Sequence, residues 1–446
     1  MLPKPTARSP RVTLLLIFLT AFLDVIGFSM IIPLMPYQTE FYLGANGSGS
    51  FLTQLMGDWM RRITEQSDNV AYASLFFGGL TAFVFAVFQF FSAPFWGAAS
   101  DRFGRRPTLI LTVALTCVAH LVWMFSGSLE SFLFARMLTG LMAGNVSVAT
   151  AAVADVTTTA NRAQGMTAIG LAYSLGFIAG PMLGGAFGSI NVLDHLPGAA
   201  AWGLHPFSIA AGSTFVLSML NLVGLWCLFP ETLREEDRAS EMARATKTAR
   251  SIFVGAPSRP VRLMGAVFFI FLLVYAGVEF GIAFRARFNF ELSVLETSLL
   301  YGSMGLSQLI AQFIVLPKLV AWSSERRTAM MGLVLTAIGI AGTGLASIPF
   351  FFAFSLVAMA FGGGLVFPCV MALASLMVER SEQGTMLGLL RSRGDLGQAV
   401  GPLLVALSML ALSGFAFVGF ALLLVLPLRW LDDLKARSRR SVAEAG

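Results

Sequence analysis

Charge is scarce in this 446-residue chain: Asp, Glu, Lys and Arg together make up 12% of it, against 56% hydrophobic residues and a mean hydropathy of +0.77. So little polar surface excludes the two or three soluble domains that the length would otherwise allow, and points to a polytopic membrane protein. Cysteine is rarer still. Cys117, Cys227 and Cys369 all lie inside apolar runs, which excludes a disulfide framework and any metal-ligand spacing. His120, His195 and His205 are too scattered for a metal site, and His120 reads as a helix-packing residue. No nucleophile stands beside a base, and no pair of carboxylates is spaced for acid–base work, so neither an enzyme nor a cofactor is indicated. The net charge of +6 comes from short basic clusters between apolar spans, a topological pattern rather than a nucleic-acid surface.

What the chain has in abundance is long apolar runs. Crossing a hydrocarbon layer of about 30 Å takes about 20 helical residues. Twelve runs meet that length, at 12–36, 71–96, 107–127, 130–154, 163–188, 206–230, 262–287, 294–317, 327–347, 349–377, 384–410 and 411–431. The ninth and tenth are joined so tightly around Ser347 and Pro349 that their separation rests on length alone. The first run is too long for a signal-peptide core and has no small-residue cleavage pattern before Pro33, so it stays as a helix. The fold class expected is an all-α membrane protein of twelve transmembrane helices.

Orientation follows from the basic residues. With both termini cytoplasmic, 23 of the 30 Lys and Arg fall in cytoplasmic segments, and only Arg61 and Arg62 sit in a clearly external loop. The external segment 37–70 carries F-L-T-Q-L-M-G-D-W-M-R-R-I, whose apolar positions recur at helical spacing and predict an amphipathic helix lying on the membrane face. The charged, helix-prone segment 231–261 divides the spans six and six. The expected organisation is an amino-terminal half, 1–230, a cytoplasmic linker, 231–261, a carboxyl-terminal half, 262–431, and a basic tail, 432–446.

An internal repeat supports that division. Gly176-x-x-x-Gly180-Pro181 in the fifth span recurs as Gly397-x-x-x-Gly401-Pro402 in the eleventh, 221 residues later. Repeats of this kind imply two pseudo-symmetric halves with a site near the membrane midplane.

Ionisable groups inside spans are costly and are therefore functional candidates. Asp24 lies 13 residues past Arg11, about 20 Å along a helix, and Arg136 lies about 12 Å in from the other end of the fourth span. Those depths nearly coincide, which predicts an Asp24–Arg136 pair that a proton would release; the same pair could also serve only to fix helix packing. Glu279 in the seventh span and Asp395 in the eleventh are the proton-coupling candidates of the second half. Arg391 and Asp395, spaced i and i+4, neutralise each other. Arg393 points elsewhere, and two readings are open: it lines the cavity and attracts anions, or it faces another helix. Asn145, Tyr173, Tyr275, Tyr301, Gln308 and Gln312, with Arg391 and Arg393, are the candidates for substrate contact. Interhelical hydrogen bonding is the alternative for each polar one.

Four motifs carry a family resemblance. G-A-A-S-D-R-F-G-R-R-P, 97–107, places Gly97, Asp101, Arg102, Gly104, Arg105 and Arg106 between the second and third spans, and resembles the signature loop G-x-x-x-D-R-x-G-R-R of major facilitator superfamily transporters. Arg136, Gly140 and Gly144 resemble the fourth-helix motif R-x-x-x-G-x-x-x-G of its proton-coupled members. Gly176, Gly180, Pro181, Gly184 and Gly185 resemble the antiporter motif G-x-x-x-G-P-x-x-G-G. P-E-T-L, 230–233, fits at the close of the sixth helix. The runs at 75–80, 143–148, 174–184 and 384–392 look most like the tetracycline-transporter-like branch.

The resemblance implies a proton-driven antiporter that exports amphipathic compounds, organic anions among them, by alternating access. Its partners would be the small substrate, protons and the lipid bilayer, with no nucleic acid. It further implies a monomer in the inner membrane of a bacterium. It links Asp155, at the cytoplasmic end of the fourth span, to Asp101 and Arg105 in a latch. A symporter, facilitator or lipid transporter of the same fold is the alternative.

Overall fold

The computed structural model describes residues 10–43, 54, 70–157, 162–233, 259–377 and 383–432. Among these, every regular element is helical, and twelve helices or helix runs are long and apolar enough to cross a membrane. This is the solution a bilayer imposes, because each backbone N–H and C=O must be satisfied within its own segment. The chain is an integral, multi-pass membrane protein. The expected surface helix near 51–63, the linker between 234 and 258 and the tail beyond 432 lie outside the described residues, Gln54 apart.

The described residues form two compact units. One takes those of Met1–Arg250 together with Leu292–Gly302, the other those of Ser251–Glu291 and Ser303–Gly446. The first unit therefore includes a short stretch, 292–302, that the sequence division assigns to the carboxyl-terminal half. It is held there by side chains: the Tyr37 hydroxyl donates to the Leu292 carbonyl and lies 3.2 Å from Thr297 Oγ1, and Gly185 abuts Ser298.

In the first unit the opening apolar run is not one helix. Pro10–Ser29 ends in turns over 30–34, and Met35–Leu43 follows. Pro33 sits in the turns, and Pro36 is the second residue of the next helix, where a missing N–H costs nothing. The second span is Val70–Phe103, the third Arg105–Met124, the fifth Arg162–Gly188 and the sixth Ser208–Leu228. The fourth is broken, as Leu129–Met142 and Asn145–Val156. Two second-span side chains occupy carbonyls at the break: Ser92 Oγ donates to Gly140 O at 2.9 Å, and Trp96 Nε1 to Leu141 O at 2.6 Å.

The fifth span lies on the first through its glycines. A Cβ at Gly176 would lie 3.2 Å from the Phe22 carbonyl, one at Gly180 would lie 2.9 Å from the Ile26 carbonyl, and one at Gly184 would overlap the Met30 carbonyl. Ser29 Oγ reaches across to the Gly176 carbonyl at 3.1 Å. In the third span buried Leu109, Val113, Cys117 and His120 alternate with exposed Leu111, Val118 and Leu121, an inward polar-and-apolar face backed by an outward face for lipid.

At the end of the third span farthest from residue 105, Tyr42, Ser126 and His205 form a buried polar plug. Tyr42 Oη lies 2.8 Å from Ser126 Oγ, His205 Nε2 lies 2.9 Å from the Trp123 carbonyl, and the Phe207 N–H faces His205 Nδ1 at 3.3 Å. A carbonyl at one ring nitrogen and an N–H at the other suit only the neutral imidazole. Burial accordingly lowers the His205 pKa to about 4, the hydrogen bond to Trp123 opposing it. Because this folded value lies below the unfolded one, near 6.5, the stabilisation is full above pH 6.5 and is lost as the pH falls towards 4. Relative to His205→Gln, the wild type should lose up to about 3 kcal/mol across that window. Melting curves of both proteins at pH 7.5 and pH 5 would show it, and parallel losses in the two would refute it.

The second unit contains the seventh span, Arg259–Phe290, and all but the start of the eighth, which begins at Val294 and carries a π-helical turn at Ala311–Val315. The ninth, Glu325–Leu345, and the tenth, Pro349–Ser375, are separate helices joined through Ala346–Ile348, with Pro349 at the first helical position. The eleventh, Gln383–Leu412, and Phe415–Leu423 follow. The repeat has the same packing here as in the first unit. A Cβ at Gly397 would abut the Phe269 carbonyl, and one at Gly401 the Leu273 carbonyl, so the eleventh span lies on the seventh as the fifth lies on the first. Superposing those contacts places Phe271 where the first unit has Asp24.

Candidate functional site

The 97–107 loop is built around Arg105. Gly104 caps the third span with φ +107°, a conformation that only glycine adopts without strain, and the chain turns there so that Arg105 and Arg106 point inward. Arg105, 2% exposed, pairs with Asp101, donates from Nε to Asp155 Oδ2 at 3.1 Å and from Nη1 to Ser100 Oγ at 2.6 Å. The predicted three-member charge set is present in this structure.

One member escaped sequence reasoning. Glu231 accepts from the backbone N–H groups of Arg105 at 2.8 Å and Arg106 at 3.2 Å, capping the third span with a carboxylate where the helix dipole favours one. Its neighbour Thr232 donates to Asp155 Oδ2 at 3.1 Å, closing the set. A side chain at 104 would strike Glu231, with a Cβ 2.9 Å from its Cδ. The signal was the P-E-T-L run, read only as the close of a helix. Two loop positions do not join: nothing lies within 4 Å of a Cβ at Gly97, and Arg102 is exposed over the Phe103 ring. Arg106 instead donates to the Trp226 carbonyl at 2.8 Å.

Deeper in the first unit, the structure corrects the predicted Asp24–Arg136 pair. Asp24 Oδ1 accepts from Asn145 Nδ2 at 2.9 Å, and Asn145 is buried. The reason is depth. Asn145 follows Arg136 by nine residues, roughly 13 Å of helical rise, and the break at 143–144 turns it towards the first span. Asn145, predicted to touch substrate, is thus the partner of Asp24.

Arg136 lies elsewhere. Gly140 and Gly144 let the fourth span close onto the second, with Cβ positions 3.1 Å from Phe88 Cβ and 2.5 Å from Trp96 Cβ. One turn before Gly140, the Arg136 guanidinium rests 4.4 Å from the centre of the Phe85 ring. It is 6% exposed, its Nε has no partner, and no hydrogen bond or ion pair joins it to another described residue. A cation over an aromatic face gains up to about 2 kcal/mol, whereas taking an ion out of water costs several. Among the described residues nothing compensates that positive charge. Phe85 also packs on Phe28, at 5.1 Å between ring centres, and Phe28 on Phe177 at 6.0 Å. His120 stands close by, its ring against Gly27 and its Nδ1 3.0 Å from Ser218 Oγ.

The second-unit candidates are placed as follows. Arg393 packs on Gly265 of the seventh span and donates to the Arg262 carbonyl at 3.3 Å. Arg391 is exposed, one turn before half-buried Asp395, whose charge it opposes. Glu279 is half-buried one turn beyond Tyr275, and the Tyr275 ring packs on Gly363 and Phe271. Tyr301 is buried, Gln308 presents its backbone to Gly364, and half-buried Gln312 lies in the π-helical turn. In the first unit Tyr173 flanks the apolar cluster of Leu109, Val113 and Val153 behind the charge set.

Twelve spans, the fifth lying on the first and the eleventh on the seventh through glycines in the same way, with ionisable groups at span depth, are the architecture of a membrane transporter. The chain belongs to the major facilitator superfamily, whose sequence pattern matches over residues 17–325 and 280–446. Among its relatives, mouse major facilitator superfamily domain-containing protein 10 is 30% identical over 99% of this chain and 97% of that protein. The class C tetracycline resistance protein of Escherichia coli is 28% identical over 92% of this chain and 94% of that protein. The crystal structure of the human organic anion transporter MFSD10 (TETRAN), at 28% identity, covers 95% of this chain and 100% of its own, with a TM-score of 0.71. A D-xylose–proton symporter, 14% identical, shares the fold at the same TM-score over 94% of this chain and 97% of its own.

Proposed function

We propose that this transporter is a proton-coupled antiporter that exports amphipathic small molecules, organic anions among them. The observation that carries the reading is the Asp24–Asn145 contact. An acid at span depth is held by a neutral amide rather than by a cation, and such a group exchanges its proton as its surroundings change. The antiporter motif supports the direction: its glycines bring the fifth span onto the first within a turn of Asp24, so that movement of one helix on the other alters the setting of the carboxyl. Names of relatives, a tetracycline resistance protein and an organic anion transporter, support the substrate range. In this reading Glu279 and Asp395 are the second unit's candidates for proton exchange, and the Arg105 set latches one conformation.

Proteoliposomes with an imposed pH gradient test it. Wild type should accumulate an amphipathic anion or cation from a screened panel against its own gradient, and Asp24→Asn should lower gradient-driven transport at least ~tenfold, about 1.4 kcal/mol of coupling, while leaving exchange intact. Equal transport by both proteins, unchanged when the pH gradient is collapsed, would remove the coupling role of Asp24.

A further inference from the structure

We infer that Arg136 is the anchor for the negative group of an aromatic organic anion, and that the Phe85–Phe28–Phe177 cluster is the surface on which its ring system lies. This rests on the transport reading above and narrows its substrate class to aromatic carboxylates and their equivalents.

Four observations meet at one place in the first unit. A guanidinium, 6% exposed, has no counter-ion and no hydrogen-bonding partner among the described residues. The acid predicted to neutralise it is instead bonded to Asn145. A buried charge without a partner is strongly unfavourable, so the site is built to be completed by an anion from outside the chain. Arginine suits that task, because its planar fork of N–H donors matches a carboxylate bidentately and stays charged throughout the physiological range.

The surroundings select the rest of the ligand. The guanidinium lies 4.4 Å from the Phe85 ring centre, Phe28 continues the aromatic surface at 5.1 Å, and half-buried Phe177 meets Phe28 nearly edge-on. An aryl ring placed there gains offset or edge-to-face contact while its carboxylate reaches Arg136. A small inorganic anion would satisfy the charge but make no use of the half-buried rings of Phe28 and Phe177 beside buried Phe85. The fourth-span glycines acquire a purpose beyond packing, since Gly140 sets Arg136 down on Phe85.

Binding to the purified full chain in detergent, measured by calorimetry with 2-naphthoate, its neutral isostere 2-naphthamide, acetate and chloride, tests the inference. Wild type should bind 2-naphthoate at least ~tenfold more tightly than the amide and more tightly than acetate. Arg136→Gln should bind naphthoate and naphthamide alike, and Arg136→Lys should keep part of the preference. Phe85→Leu should reduce the advantage of naphthoate over acetate. Should Arg136→Gln fail to fold, the ligand pairs on wild type and on Phe85→Leu still decide. The assignment falls if wild type shows no preference for the anion, if Arg136→Gln retains it, or if chloride competes as well as naphthoate. Because binding is read without a proton gradient, loss of preference in Arg136→Gln beside absent gradient-driven transport would keep the anchor and sink the antiporter. Coupled transport with unchanged selectivity in Arg136→Gln would do the reverse.

Discussion

Arg105→Met should lower the unfolding free energy of the protein in detergent by about 3–5 kcal/mol, the range for breaking a buried pair from one side. Arg105 is only 2% exposed and carries Asp101 and Asp155, whose side chains are 14% and 17% exposed. Removing the guanidinium leaves two carboxylates facing each other with Glu231 close behind. None has another cation in the set, because Arg106 is turned to the Trp226 carbonyl. Arg102→Met is the internal control. Arg102 sits in the same loop but is exposed against Phe103, so its loss should change stability by no more than about 0.5 kcal/mol. Denaturant titration followed by tryptophan fluorescence separates the two, and equal small effects would show that the charge set is solvated rather than buried.

Gly184→Val and Gly401→Val should each cost about 3 kcal/mol or more, at the upper end of overpacking effects. The atoms a Cβ would meet are backbone: the Met30 carbonyl in one case, the Leu273 carbonyl and the Gly277 nitrogen, at 3.0 Å, in the other. A side chain can rotate away from an intruding methyl, but a helix backbone can only be pushed aside, and the whole interface moves with it. Gly170→Ala and Gly224→Ala set the baseline. Nothing lies within 4 Å of a Cβ at either position, so both should be neutral or gain up to about 1 kcal/mol from helix propensity. Thermal melts of the four variants would check the contrast. Gly184→Val melting with Gly170→Ala would mean that the first and fifth spans are not in contact in the membrane protein.

The charge set at the third span and the position of Asp24 show how unevenly the site could be read beforehand. The resemblance of the 97–107 loop to the superfamily signature is what links Asp101 and Arg105 to Asp155, and the depth of all three, at the ends of apolar runs, agrees with it. Glu231 lies at such an end too, but its role depends on which N–H groups it faces, and only the approach of residues 104–106 to 231 reveals that. The Asp24–Arg136 pair failed for a related reason. Arg136 is counted from one end of a fourth span taken to fill a layer of about 30 Å. Leu129–Val156 has 28 residues, roughly 42 Å at the helical rise, so the level of Asp24 falls further along it, at Asn145. Arg393 had two open readings because an angle around a helix says which residues share a face, not what that face touches.

Composition and run length sufficed for membrane residence and twelve spans, because hydrophobic transfer and backbone hydrogen bonding act on each segment separately. The glycine spacing also announced close helix contacts, since a residue without a Cβ is useful at that period wherever it packs. Which helix fills each contact, which acid keeps company with an amide, and that Arg136 meets no counter-ion among the described residues were decided only by tertiary packing. Those outcomes depend on breaks, turns and rotations of a few residues. Such features barely alter the apolar pattern of a span, yet they move a charge by a helical turn or more.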